Sequence, residues 1–461
     1  MRFTKRRLDP IPARGLVLLS SVMFAGAAWS CASDDEAGGA RDDERDASGD
    51  VMAPDAAAPP DSAADAPAAH DAGLIDAAPL PVVCASPSCV VSLVTSSSVD
   101  AISHNEGFCA LMQDGTVACW GANGAGQLGR GDDAGDDDSA TPARVLGLSN
   151  VISLHHTCAV DKEGAAYCWG TGPFEASGTA STTARTPVKL PIPAASHVDA
   201  TPTTACAVTG DSVLCWGSNE DGQVGPFSTT DRKAMHEPRA VPLAHEAPIR
   251  DIAISKATFI LHADGTIESW GANPPLARQS SLFPDPYPQP IAIGGISGID
   301  LTDENACAVA GGIGYCWGRV LPNFTERDTD DLALAKILPE PVSTPEPIVQ
   351  IATTMNVIKY ELGAPIGQPQ RWCAVGPTGD VYCWGANASG QAGDGTKDHA
   401  YNPVKVVGLP GPASQVKTTP DATCALLTTG RVYCWGSNYY GQLGNGKIRQ
   451  PSLTPQEVVL P

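Results

Sequence analysis

Phe108-Cys109-Ala110-Leu111-Met112-Gln113-Asp114-Gly115-Thr116-Val117-Ala118-Cys119-Trp120-Gly121 sets two runs of strand-forming residues on either side of Asp-Gly, the composition of a tight β-hairpin. A three-residue loop of Gln113, Asp114 and Gly115, with the glycine in the left-handed bulge position, pairs Met112 with Thr116 and places Cys109 opposite Cys119. Directly opposed residues on antiparallel strands lie within disulfide reach. Variants of the phrase recur seven times between Phe108 and Gly436, each ending in Trp-Gly, at Trp120, Trp169, Trp216, Trp270, Trp317, Trp384 and Trp435. A unit of about fifty residues that cannot bury its own faces predicts stacked repeats sharing one continuous core.

The other copies fit the same register. Cys158 and Cys168, Cys373 and Cys383, and Cys424 and Cys434 keep the separation, with Gly164, Gly379 and Gly430 at the third loop position. Cys206 and Cys215, like Cys307 and Cys316, are one residue closer, and their loops become Gly210-Asp211 and Gly311-Gly312, as a two-residue primed turn requires. The fourth copy has Phe259 and Ser269 instead, so both cysteines vanish together. That joint loss predicts pairing inside each hairpin. Zinc ligation fits poorly, because the pairs straddle turns and no histidine recurs at a fixed offset. Cys84 and Cys89 are left to pair with each other, and so many bridges imply an oxidising compartment.

Pro142-Ala143-Arg144-Val145 and Val151-Ile152-Ser153-Leu154 add further strands around the hairpin, making four per unit. Val432-Tyr433-Cys434-Trp435 is apolar throughout, which suits a strand buried on both faces. The expected fold class is therefore all-β, a seven-bladed β-propeller over residues 81–461. Cys434-Trp435-Gly436-Ser437-Asn438 followed by Gly441-Gln442-Leu443-Gly444 resembles the regulator of chromosome condensation repeat. Gly126-Gln127-Leu128-Gly129, Gly222-Gln223-Val224-Gly225 and Gly390-Gln391-Ala392-Gly393 repeat its second half; copies two, four and five lack it. The resemblance implies a ring closed by a strand from one terminus completing a blade begun at the other. The candidates are Val90 to Val94 and Val458 to Leu460.

The N-terminal segment is a different kind of chain. Arg2, Lys5, Arg6, Arg7 and Arg14 precede an apolar run from Gly15 to Ala27, and residues 1–30 read as an export signal too short for a confident membrane span. Cys31 resembles the lipid-modified cysteine of bacterial lipoproteins, although Trp29 is bulky for that motif and cleavage after Ala25-Gly26-Ala27 is the alternative. Residues 31–80 hold thirteen acidic and two basic residues, half of the net charge of −22, and read as a disordered acidic tether. The expected location is the outer membrane, through a lipid anchor, facing the periplasm or the cell surface.

The acidity weighs against nucleic acid, which needs clustered Lys and Arg. The best-known protein with this repeat works on chromatin and exchanges guanine nucleotide on a small GTPase; export disfavours that activity here, and none of its functional residues carries over. His155-His156 reads as support for a turn, the inner strands read as apolar, and no His, Asp or Glu recurs at a position converging on the axis. No catalytic, cofactor or metal site follows. The loop Asp132-Asp133-Ala134-Gly135-Asp136-Asp137-Asp138 offers the oxygen ligands that Ca²⁺ takes, but charge runs are usually solvated loops.

Long connectors break the repeat between Gly225 and Ile252, Gly271 and Ile291, and Gly318 and Cys373, and such insertions tend to emerge on one face. Within the last, Tyr360 to Gly367 reads as an extra hairpin. Tyr360, Leu362, Ile366, Trp372, Tyr401, Tyr439 and Tyr440 are the candidate contacts for a protein partner. The functional expectation is a monomeric, non-catalytic, surface-tethered scaffold that binds a protein through loops on one face. Exported propellers of this repeat type include a protein inhibitor of β-lactamase, so inhibition is one form the resemblance implies. The alternative is an envelope hydrolase or lyase using the central cavity.

Overall fold

Each Trp-Gly phrase forms the middle of a four-stranded antiparallel sheet. In a computed structural model of the protein, which describes residues 78–85, 88–96, 106–175, 181–226, 235–320, 334–361 and 364–461, seven such sheets follow one another along the chain. Blade 1 comprises Val90–Thr95, Gly107–Met112, Val117–Gly121 and Ser139–Arg144, and blade 7 comprises Ala413–Thr418, Ala422–Leu427, Val432–Gly436 and Ser452–Glu457. The readings of residues 1–30, with Cys31 and nearly all of the tether, lie outside the described residues.

The hairpin register is the one the sequence requires. Cys109 faces Cys119, Cys158 faces Cys168, and Cys206 faces Cys215. Cys307 faces Cys316, Cys373 faces Cys383, and Cys424 faces Cys434. All six pairs are disulfides with Cα atoms 4.1 Å apart, the close spacing of a non-hydrogen-bonded antiparallel pair. Cys84 and Cys89 form a seventh bridge, with Cα atoms 5.6 Å apart. In blade 4, Phe259 faces Ser269 and fills the space of the missing bridge, and Ser269 Oγ donates to Leu276 O at 2.6 Å.

Seven apolar clusters fill the seven interfaces between neighbouring blades, which is why the middle strands are buried on both faces. The tryptophans tie these interfaces together. Trp169 Nε1 donates to Gln127 O of the preceding blade at 2.8 Å, Trp270 to Gln223 O at 2.9 Å, and Trp435 to Gln391 O at 2.9 Å. Trp120 closes the ring by donating to Gln442 O of blade 7 at 3.0 Å. The Gly-Gln-x-Gly signature is thus the receptor for the next blade's indole. Its last glycine has to be a glycine: Gly393 sits at φ +74, and a Cβ there would lie 2.5 Å from Trp435 Nε1. The signature asparagine holds the loop in shape, with Asn438 Oδ1 accepting from Leu443 N and Asn387 Oδ1 from Ala392 N.

Closure differs from what the family resemblance implies. Every blade is continuous in sequence, Val90–Thr95 is the innermost strand of blade 1, and Val458 to Leu460 form no strand. Side-chain packing and a few long-range bonds do the work. Val90, Phe108 and Trp120 pack against Leu426, Val432, Leu443 and the buried Val458. Val90 N donates to Gly430 O, and Gly446 N to Ala140 O. A buried polar joint reinforces this seam. Arg371 of blade 6, 1% exposed, donates to Thr419 O, Ala422 O and Gln391 O, while Thr419 Oγ1 donates to the buried Glu106 of blade 1. Burial lowers the Arg371 pKa to about 9 against the opposing pull of Glu106 and Asp421, so it remains charged at neutral pH.

Antiparallel order fixes which loops share an end of the ring. The first-to-second and third-to-fourth strand connections of every blade emerge at one end, hereafter the connector end. The Asp-Gly hairpin turns and the links between blades emerge at the other, the turn end.

Candidate functional site

The innermost strand of a propeller blade has one edge paired and the other on the axis, so its outward backbone groups need other partners. Here side chains of the preceding blade supply them. Gln415 Oε1 accepts from Leu93 N at 3.0 Å, Gln350 Oε1 from Val416 N at 2.7 Å, Asp199 Oδ2 from Ile254 N at 3.1 Å, and Asp300 Oδ2 from Thr353 N at 2.8 Å.

These polar groups overturn the expectation of apolar inner strands. The position opposite the first hairpin cysteine, or opposite Phe259 in blade 4, holds His155, Asp199, Asp300 and Lys417 in blades 2, 3, 5 and 7, with Val94, Ala253 and Ala352 in the other three. Two residues nearer the turn end, the equivalent position holds His197 in blade 3 and Asp251 in blade 4. Together they line a central cavity of about 440 Å³ to which all seven blades contribute. His155 and His156 are therefore channel residues, not simply turn supports.

Charges in the channel are mostly matched. Lys417 Nζ donates to Asp300 Oδ1 at 2.8 Å; burial alone would lower the ammonium's pKa, but Asp300 raises it overall. His156, at φ +42, bonds Asp199 Oδ1 through Nδ1 at 2.9 Å. Burial would lower the imidazole's pKa and raise the carboxyl's, yet each partner reverses the trend, leaving His156 raised and Asp199 lowered. His197 is lowered, by burial first and then by the nearby His155.

The signs of these shifts set a pH window. The imidazolium's contribution is complete below the ordinary histidine pKa and is lost as pH rises through the raised folded value. The carboxylate's is complete above the ordinary aspartate pKa and is lost as pH falls through the lowered one. The pair is strongest between those ordinary values, about 3.9 and 6.5. Asp199→Asn is therefore expected to show its largest urea-unfolding deficit at about pH 5 and a smaller one at about pH 8. A deficit that does not change with pH would mean that Asp199 acts only as an acceptor for Ile254.

The second candidate region is the connector end. The extra hairpin is present: Val357–Glu361 pairs with Ala364–Gln368, with Tyr360 opposite Pro365, between the first and second strands of blade 6. Tyr360 and Ile366 lie on its two strands, and Leu362 lies outside the described residues. Gln368 Nε2 bonds Pro420 O at 3.0 Å and fastens the hairpin base to blade 7. Tyr401 lies at the start of the outer strand of blade 6, at this end, and is 73% exposed. Tyr439 is 54% exposed, with Arg449 over its ring at 5.1 Å and half-buried Tyr440 edge-on at 4.9 Å. Trp372 is different. It stacks on Trp384 at 6.0 Å inside the interface of blades 5 and 6 and does not project as an anchor. Phe283, 77% exposed where the blade 4 connector meets its outer strand, was not singled out from sequence, because nothing in the Pro-rich stretch marks its ring as outward.

The acidic loop does not gather into an ion site. Asp136 is bonded to Arg185 at 2.6 Å, and Asp138 Oδ1 accepts from Asn123 N at 3.1 Å. Among the described residues the one grouping of three or more potential metal ligands lies in the channel.

Comparison with known proteins agrees with this architecture. The model described as "Regulator of chromosome condensation (RCC1) repeat" matches residues 114–160, 378–426 and 429–461, and a second model of the same description matches 414–442. The human E3 ubiquitin-protein ligase HERC2 is 26% identical over 365 residues, 74% of this chain but 7% of that protein. The ultraviolet-B receptor UVR8 of Arabidopsis thaliana is 26% identical over 352 residues, 73% of this chain and 64% of the receptor. The chain thus spans less than two thirds of either relative. Among solved structures, Prp20p of Saccharomyces cerevisiae superposes with a TM-score of 0.59 at 20% identity, covering 76% of this chain and 87% of that one. Human WBSCR16 gives 0.56 at 17% identity, with 75% and 94% covered. With the repeat signature, its role as indole receptor and the ring of seven blades in hand, the chain is built on the regulator of chromosome condensation (RCC1) repeat, matched over residues 114–160 and 378–461.

Proposed function

We propose that this propeller is a non-catalytic scaffold that binds a protein partner through its connector end. The observation that carries the reading is topological: the inserted hairpin and Tyr401 of blade 6, Tyr439 of blade 7 and Phe283 of blade 4 all emerge at one end of the ring. Exposed aromatic rings grouped on one rim are the residue type that dominates binding energy in protein interfaces. The solved structure of Prp20p is described together with its binding to Gsp1p and histones, which supports protein binding as a use of such a propeller and says nothing about the partner here. We further propose that the chain is exported and held at an outer membrane by a lipid on Cys31, with the acidic segment as spacer; its paired cysteines and N-terminal sequence support this.

Cross-linking capture from envelope and secreted material tests the reading. Tyr401→Ala with Tyr439→Ala is expected to weaken capture of one specific protein at least about 10-fold, as loss of two interface anchors should. Asp211→Lys, at the turn end, should leave it unchanged. Equal capture by all three proteins would remove the connector end from consideration.

A further inference from the structure

Blades 2, 3 and 4 each send one potential metal ligand into the channel. His155 ends the inner strand of blade 2, His197 begins that of blade 3, and Asp251 lies in that of blade 4. One ligand atom from each lies within 4.8 Å of the other two, and His155 Nε2 is 3.6 Å from Asp251 Oδ1, too long for a hydrogen bond. The two imidazoles meet edge to face with centroids 5.8 Å apart. His197 bonds Ser196 Oγ through Nδ1 at 3.1 Å, which fixes the ring and leaves its other nitrogen for an ion. All three side chains are only partly buried beside a solvent-sized cavity, so an ion can reach them.

We propose that the channel binds one divalent transition-metal ion of the zinc class through His155, His197 and Asp251. Two imidazoles and a carboxylate form the donor set that such ions prefer, whereas Ca²⁺ and Mg²⁺ select oxygen. Metal–ligand bonds of about 2.0–2.1 Å in a tetrahedron put ligand atoms roughly 3.3 Å apart. The observed spacing therefore needs side-chain rotations on the scale of an ångström and no movement of blades. The surroundings favour a cation. Asp199, Asp251, Asp300 and Asp303 line the channel against Lys417, Arg250 and His156; with Lys417 bonded to Asp300 and His156 to Asp199, Asp251 and Asp303 are left against Arg250. Three protein ligands leave coordination positions open to water or to a side chain entering from the connector end. Bound there, the ion would also link the inner strands of three consecutive blades.

The test is calorimetric titration of the whole protein with Zn²⁺, repeated with Co²⁺ for its visible absorption. One ion per chain is expected, with affinity falling at least about 100-fold in His155→Ala and in His197→Ala, as loss of one of three ligands should. His245→Ala, in the link between blades 3 and 4 and paired with Asp264, should bind as wild type does. Should either channel variant fail to fold, carbethoxylation of wild-type protein read by mass spectrometry replaces it: Zn²⁺ is expected to protect His155 and His197 but not His245. No binding, binding that survives loss of both histidines, as at the acidic N-terminal carboxylates, or equal labelling with and without Zn²⁺ would overturn the proposal.

Discussion

Full reduction of the six hairpin disulfides is expected to lower the melting temperature by more than about 20 °C, or to abolish cooperative unfolding. Each bridge closes a loop of 9 or 10 residues' separation, worth about 2 to 3 kcal/mol of denatured-state entropy on the chain-entropy model. Six of them together rival the roughly 5 to 15 kcal/mol of net stability that a folded domain has. All twelve sulfurs are buried in the blade interfaces, so reductant alone should act slowly, and brief denaturation followed by alkylation is needed. Far-UV circular dichroism melts of the alkylated protein read the result. A midpoint within about 5 °C of the oxidised protein would show that blade packing alone carries the fold.

Trp435→Ala is the single substitution expected to cost most, about 3 to 5 kcal/mol. Its side chain is 0% exposed and packs in the interface of blades 6 and 7. Removing the ring opens a cavity there and takes the indole donor from Gln391 O. That carbonyl still receives Arg371 and Thr423, so the cavity accounts for most of the loss. Trp435→Phe, which keeps much of the volume and drops the donor, should cost no more than about 1 to 2 kcal/mol. Urea unfolding of the two variants separates the terms; equal losses would mean that the hydrogen bond, not the packed volume, holds the interface.

The blades were legible in sequence because local chemistry specifies them. Cys109 and Cys119 face each other for the same reason that Gly210-Asp211 can replace a three-residue loop, and the paired change to Phe259 and Ser269 records that they touch. The channel was harder to read. Asp199, Asp300 and Lys417 each stand seven residues before the first cysteine of their hairpin, a regularity that aligning the repeats on cysteine would have exposed. His155 occupies the same place on its strand but only three residues before Cys158, because the connecting loop is shorter in blade 2. Register in space, not spacing in sequence, brings these residues together. Strand exchange at the closing seam is what the family resemblance implies, but Val458 stays with its own blade, its N donating to Val432 O, and meets blade 1 only through side-chain packing. Trp372 shows the converse limit. An aromatic beside an insertion looks like an anchor until its stacking on Trp384 is seen.

Because each blade is made from one uninterrupted length of chain, every sheet can assemble before its successor exists. Among the described residues, only the junction of first and last sheets joins residues more than 300 positions apart, as Gln415 does with Leu93. For a chain synthesised from its N-terminus, the slow long-distance step is thereby postponed until the final sheet has emerged, and the exposed flank of blade 1 must wait unprotected until then.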